Sequence, residues 1–193
     1  MVRIAIFASG TGSNAVNIIR YFRSGGRAAE VALVVCNNPD AEVIARSREL
    51  SVPVSVLTRA EINNPDVISP LMDRHGVDVI VLAGFLQMLP AFLTERFAGN
   101  IVNIHPSLLP KFGGKGMYGR HVHEAVVSAG ETETGITIHL VNEKYDDGRI
   151  LFQASVPVAP ADTPSDVEAK VRELERVHYP RVIASTFCST EAI

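Results

Sequence analysis

Short apolar runs that alternate with longer stretches of helical spacing constrain this chain more than any other feature. Residues 3–7, 31–36, 54–57, 77–83 and 100–104 are near-continuous apolar runs, whereas 13–23, 41–50, 65–75 and 91–97 carry apolar residues at helical spacing. A strand that is apolar on both faces must be covered on both faces. Helical crossovers between parallel strands supply that cover, and they run right-handed. The first half of the chain therefore predicts a three-layer, doubly wound α/β architecture with a mostly parallel, Rossmann-like sheet.

The second half changes character. Residues 134–141 (TGITIHLV) and 150–158 (ILFQASVPV) read as strands separated only by the turn NEKYDDGR, which predicts an antiparallel C-terminal addition to the sheet. Thr163 reads as an N-cap, with Pro164 at the first helical position and Asp166 in the first turn. That helix is expected to reach about His178, to bend or break at Tyr179-Pro180, and to resume as a second piece. No internal repeat or low-complexity linker divides the 193 residues, so one domain is expected.

Composition narrows the partners. A formal net charge of -3 provides no cationic excess, so nucleic acid is not an expected partner. No window is apolar over the length of a membrane span, so a membrane is not expected either. The start MVRIAIFA runs straight into a glycine-rich turn and reads as a first strand rather than a signal sequence, which makes the cytoplasm the expected compartment. Cys36 closes the run VALVVC as a small buried hydrophobe, and Cys188 lies far from it. Without a CxxC pair or a Cys/His cluster, neither a disulfide nor a metal site is expected.

Three segments carry candidate chemistry. The first strand ends in ASGTGSN, residues 8–14, and a helix follows at once. Gly12, Ser13 and Asn14 there suit an anion held by backbone amides and a helix start. The same residues suit a plain strand-to-helix turn with Ser13 as its N-cap. The third glycine of a dinucleotide fingerprint is missing, and Cys36-Asn37-Asn38 stand where a ribose-binding acid would end the second strand. Next, Asn103 and His105 lie two apart in an extended run, hence on one side, and Pro106 keeps His105 out of the helical region. The pair can donate to one developing oxyanion, or simply bind loop backbone at a strand end. Finally, Asp146 and Asp147 precede Gly148 in a turn that is either solvated or brings a carboxylate to His105, raising the imidazole pKa.

The turn GTGSN (10–14), VLAGF (81–85), NIHPSLLPK (103–111) and the D-x-G turn (Asp146, Gly148) occur in this order and spacing. In these segments the chain resembles the glycinamide ribonucleotide formyltransferases of the folate-dependent formyltransferase superfamily, from Arg3 to about Arg181. The resemblance implies 10-formyltetrahydrofolate as co-substrate, no metal, and direct formyl transfer to a primary amine through a tetrahedral intermediate. It implies Asn103, His105 and Asp146 as the catalytic set, selecting Asp146 over Asp147, with His105 protonated beside the oxyanion. It further implies Gly12, Ser13 and Asn14 for the substrate phosphate, and Glu175 at the amine side. The folate would lie against Phe85, Leu86, Gln87, Met88 and Leu89, and against Asn142, Glu143, Lys144 and Tyr145. His139 falls near the site as either a packing or a functional residue. Residues 1–102 would then form a nucleotide-binding half and 103–193 a folate-binding and catalytic half.

The chain departs from the pattern in three places. The stretch FGGKGMYGRHVH after Lys111, with Lys115, is longer and richer in glycine, Gln87 replaces an arginine, and Arg172 replaces an uncharged polar residue. The expected partners are small molecules, with the chain a monomer or homodimer. A formyltetrahydrofolate hydrolase or a formyltransferase acting on another amine would share the N-x-H…D core, but such relatives are usually longer. A non-catalytic nucleotide-binding module would need no Asn103–His105–Asp146 set.

Overall fold

The computed structural model describes residues 1–24 and 28–188. Its strands are β1 (Val2–Ala8), β2 (Ala29–Cys36), β3 (Val54–Val56), β4 (Val79–Leu82), β5 (Ile101–His105), β6 (Glu133–Leu140) and β7 (Ile150–Pro157). They form one seven-stranded sheet in the order β3-β2-β1-β4-β5-β6-β7. The pairings from β3 to β5 are parallel, and β6 and β7 add antiparallel at one edge. This is the α/β architecture that the apolar periodicity predicts, with strand ends differing by at most two residues.

The helices are α1 (Ser13–Arg23), α2 (Val43–Glu49), α3 (Arg59–Ile62), α4 (Pro65–Arg74), α5 (Ala91–Arg96), α6 (Arg120–Ser128) and α7 (Pro164–Phe187). The alternation of side chains along β1 divides the core. Ile4, Ile6 and Ala8 pack with Ile18, Ile19 and Phe22 of α1 and Val167, Val171 and Ile183 of α7. Ala5 and Phe7 point the other way, to Ile68 and Met72 of α4 and Leu93 of α5. Each fully buried side chain of this size stabilises the fold by roughly 1.5–3 kcal/mol relative to exposure. β2 and β4 split in the same manner, which explains their unbroken apolar sequences.

α1 starts one residue earlier than a Ser13 cap would allow. Gly12 is the N-cap, in the left-handed region at φ 75°, and no side chain caps the helix. Glycine is required there twice over: by that φ, and because a Cβ would lie 2.5 Å from Val43 Cγ2. Ser13 is thus the first helical residue, and the amides of the first turn are not used by a capping side chain.

α7 also departs from expectation, running unbroken through Pro180 to Phe187. Proline removes the amide that would bond the carbonyl of Arg176. Asn17 of α1 donates to that carbonyl instead, at 2.8 Å. One residue earlier, the buried Tyr179 hydroxyl hydrogen-bonds the carbonyls of Leu82 (2.8 Å) and Val102 (3.2 Å), tying the helix to the ends of β4 and β5. Tertiary partners thereby satisfy what local sequence leaves open. The Thr163 cap does form as expected, reciprocated by Asp166. α3 and α6 are additions to the expected elements. α3 is a single turn with a Thr58–Glu61 capping box, and α6 follows the glycine-rich stretch directly.

The strand order has a functional consequence. From β1 the chain moves to one side through β2 and β3, then returns to β4 on the other side. Loops leaving the carboxyl ends of β1 and β4 diverge, and α/β sheets bind ligands in the crevice so formed.

Candidate active site

A cavity of about 590 Å³ lies in that crevice, a size typical of small-molecule sites. Residues 10–14 after β1, 82–89 after β4 and 103–106 at the end of β5 line it, with 114–119 closing one side. The β6–β7 turn and the α7 residues Glu168, Arg172 and Glu175 complete the wall.

On β5, Val102 and Ile104 face the core, so Asn103 and His105 project from the other side of the strand. Both line the cavity, as their spacing predicts. Antiparallel pairing sets His139 of β6 opposite Asn103 and Thr137 opposite His105. Asn103 Nδ2 lies 3.2 Å from His139 Nε2, and His139 Nδ1 lies 2.9 Å from the carbonyl of Leu140. The Leu140 carbonyl calls for a hydrogen on His139 Nδ1, while Nε2 faces the Asn103 amide and holds it toward the cavity.

The acidic turn reaches this pair. Asp146 Oδ2 is 3.5 Å from His105 Nδ1, and Oδ1 is 3.6 Å from His139 Nε2. Asp147 instead accepts from Asn142 at 3.3 Å, away from both imidazoles. The turn geometry makes that choice. Asp146 adopts φ 50°, and a Cβ on Gly148 would lie 1.7 Å from the Leu140 carbonyl oxygen. Glycine two residues on thus lets the turn fold tightly enough to aim Asp146 inward, at a backbone conformation that a non-glycine residue holds only under constraint.

Electrostatics at the pair depart from one expectation. Burial pushes the His105 pKa down and outweighs the upward pull of Asp146 and of the Phe112 carbonyl, so the net shift is downward from 6.5. Only 3% of the residue is exposed, and removing an imidazolium from water costs more than one carboxylate at 3.5 Å returns. The downward shift favours the neutral imidazole at neutral pH, whereas the resemblance implies a protonated one. For Asp146, burial pushes the carboxyl up, but His139, the Gly114 amide and His105 together hold it below its usual range.

The segment after His105 is fixed by a polar network around Thr137. Thr137 Oγ1 donates to the Ser107 carbonyl at 2.7 Å, and accepts from the Leu109 amide at 2.9 Å and Gln153 Nε2 at 2.8 Å. Ser107 is fully buried and donates to the Lys111 carbonyl, so it belongs to the loop and not to the chemistry.

The remaining expected residues gather round the same cavity, with one exception. Gly12, Ser13 and Asn14 line it, and Asn14 Nδ2 donates to Glu175 at 2.8 Å. Burial raises the Glu175 carboxyl pKa, more than Asn14 and Arg172 lower it. Phe85, Leu86, Gln87, Met88 and Leu89 all contribute. Phe85 rests edge-on against Phe7, Leu89 is buried, Leu86 and Met88 are exposed, and Gln87 Oε1 is buried without a partner. Asn142, Lys144 and Tyr145 line the cavity too. Glu143 does not: it borders a neighbouring depression with Glu95 and Asp147, which Asn142 and Lys144 also reach.

His123 and Glu168 were not legible as site residues. His123 lies on α6, is 3% exposed, and keeps Nδ1 buried without a partner. Its helix follows a stretch whose glycines read as loop, so nothing in the sequence turned it toward the cavity. Glu168 pairs with Arg172 at 2.6 Å, one turn along α7. His139 was visible as a strand histidine, but its place opposite Asn103 depends on the antiparallel register.

The sequence profile of the formyl transferase family matches residues 2–183. The chain belongs to this family. Among its relatives, this formyl transferase is 42% identical over 187 residues to the phosphoribosylglycinamide formyltransferase of Haemophilus influenzae, covering 95% of this chain and 86% of that protein. It is 40% identical to the chloroplastic phosphoribosylglycinamide formyltransferase of Arabidopsis thaliana, covering 95% of this chain and 64% of the longer plant protein. The crystal structure of phosphoribosylglycinamide formyltransferase from Brucella melitensis superposes with a TM-score of 0.87 at 34% identity, covering 100% of this chain and 98% of that one. Among the described residues of this formyl transferase, no group of His, Cys, Asp and Glu is arranged to hold a metal ion, and no helix is long and apolar enough to cross a membrane.

Proposed function

We propose that this formyl transferase moves the formyl group of 10-formyltetrahydrofolate to the amino group of glycinamide ribonucleotide, giving formylglycinamide ribonucleotide and tetrahydrofolate in purine biosynthesis. The observation that carries this reading is the approach of Asp146 to His105, at 3.5 Å, beside Asn103 in a cavity of about 590 Å³. The names of the relatives support the same substrates.

The ribonucleotide phosphate is assigned to Gly12, Ser13 and Asn14, where α1 offers first-turn amides without a capping side chain. Glu175, hydrogen-bonded to Asn14, is assigned to the amine side. The folate is assigned to the 85–89 loop and the Asn142–Tyr145 side of the turn. The exposed Leu86, Met88 and Tyr145 suit an aromatic ligand, and the unpartnered Gln87 Oε1 suits a ring or amide N–H.

The folate supplies an activated formyl carbon. Asn103, its amide oriented by His139, donates to the oxygen as charge develops there. Removing one such donor typically lowers the rate on the order of a hundredfold or more. His105 is neutral at rest and accepts the proton that the amine loses on attack. Asp146 then faces a full imidazolium and stabilises it. The same proton returns to the departing folate nitrogen, so acid and base are one residue and no net proton is taken from solvent.

The test is product formation from glycinamide ribonucleotide and 10-formyltetrahydrofolate with wild type, His105→Ala and Asp146→Asn. Formylated ribonucleotide from wild type, with most of the rate lost in both variants, is the expected result. Free formate without formylated ribonucleotide would overturn the transferase reading in favour of a hydrolase.

A further inference from the structure

We propose that the backbone of residues 112–114 is a positioning strap that fixes the proton of the neutral His105 ring on Nε2, making Nδ1 the nitrogen that exchanges the proton in catalysis. The inference rests on the formyl-transfer reading for its catalytic part, and on geometry alone for the ring.

His105 Nε2 lies 2.7 Å from the carbonyl oxygen of Phe112. A carbonyl only accepts, so this bond requires a hydrogen on Nε2 in either protonation state of the ring. The neutral ring is then bare at Nδ1, the atom that faces Asp146 Oδ2. Two residues further on, the Gly114 amide donates to that same Oδ2 at 2.9 Å. One short stretch of chain therefore binds both members of the pair, through an inward carbonyl and an inward amide.

The stretch is shaped for that purpose. Phe112 is held at φ 54° and Gly114 at φ 96°, both in the left-handed region. Between them, Gly113 packs against a neighbouring side chain: a Cβ would lie 2.4 Å from Leu109 Cδ2, so either that methyl group or the strap must shift to admit it, and 3.5 Å from Asp146 Cβ. Beyond Gly114 the chain becomes the 114–119 wall of the cavity, so a ligand that shifts this wall pulls on the catalytic pair. The other titratable groups facing the ring are His139 on β6 and His123 on α6. Neither forms a hydrogen bond with its nitrogens, so the Phe112 carbonyl at 2.7 Å and the Asp146 carboxylate at 3.5 Å compete for the proton of the neutral ring, and the shorter contact holds it on Nε2.

The experiment combines ¹⁵N spectra of the His105 ring at neutral pH with kinetics of Gly113→Ala, Leu109→Ala and the double variant. Wild type is expected to show a protonated Nε2 and a bare Nδ1. Gly113→Ala is expected to lose this preference, and to lower kcat between about ten- and a hundredfold with KM changed far less, since small misplacements of catalytic groups cost that much. Its kcat should also lose the pH profile of wild type. Leu109→Ala alone should keep kcat near wild type. In the double variant it opens room for the new Cβ and should restore both the spectrum and most of kcat. A neutral ring protonated on Nδ1 in wild type would overturn the proposal, as would an unchanged kcat in Gly113→Ala. A folded double variant that stays inactive would overturn it too. If wild type forms no formylated ribonucleotide, the substrate reading fails instead, and the ring spectrum still decides the tautomer.

Discussion

At the scale of single residues, the site works by opposing two influences on one imidazole. Burial lowers the His105 pKa and Asp146 raises it, with burial prevailing. Replacing Asp146 by Asn removes the upward influence. The residual rate of Asp146→Asn should therefore show an acid limb displaced to lower pH than wild type, besides its large drop in kcat. A kcat–pH profile checks this, and a limb displaced upward would show that Asp146 acts on some other group. Asn103 and His105 were legible from spacing alone, because alternate residues of a strand share a face. The selection of Asp146 over Asp147 was not. It depends on how the turn folds over Gly148, which no local pattern encodes.

Among the elements, the β6–β7 turn most directly joins fold to chemistry. Gly148 stands where a Cβ would lie 1.7 Å from a backbone oxygen, which cannot swing aside as a side chain can. Gly148→Ala should lower stability by about 1–3 kcal/mol through overpacking. It should also lower kcat, because the turn must open and carry Asp146 with it. Asp147→Ala, on the outer side of the same turn, should leave kcat near wild type. Urea midpoints and steady-state kinetics on both variants test this, and equal losses in kcat would reject the assignment. α7 teaches the converse. Pro180 reads as a helix breaker, yet the helix continues because Asn17 bonds the carbonyl it leaves open and the neighbouring Tyr179 hydroxyl ties the helix to β4 and β5. α6 escaped notice because its glycine-rich approach resembles loop up to its first turn.

For the whole molecule, two buried histidines make stability pH-dependent. His105 and His123 both have pKa values lowered from 6.5, in each case chiefly by burial. Below that value the unfolded chain binds protons that the folded chain does not, so stability falls as pH falls. Each group contributes a slope of at most about 1.4 kcal/mol per pH unit in that window. Glu175, raised from 4.5, works in the opposite sense: its contribution is present at low pH and is lost as pH rises through its folded value. Net loss of stability is therefore expected on going from pH 7.5 to 5.5. His123→Gln, which cannot titrate, should show a smaller loss. Urea unfolding at both pH values measures it, and an unchanged slope in His123→Gln would rule out that residue as a source.

What the sequence determined by itself was the layered sheet, its antiparallel edge, and the residues at the carboxyl ends of β1 and β5. These follow from periodicity and from the rule that parallel strands need helical cover, both of which act over a few residues at a time. Tertiary structure alone decided the lowered pKa of His105, the turn of Asp146 toward it, the pairing of Asn103 with His139, and the arrival of His123. Each of those depends on groups brought together from distant parts of the chain, at distances where desolvation and hydrogen bonding compete. A linear pattern carries the identity of such groups but not the balance between them.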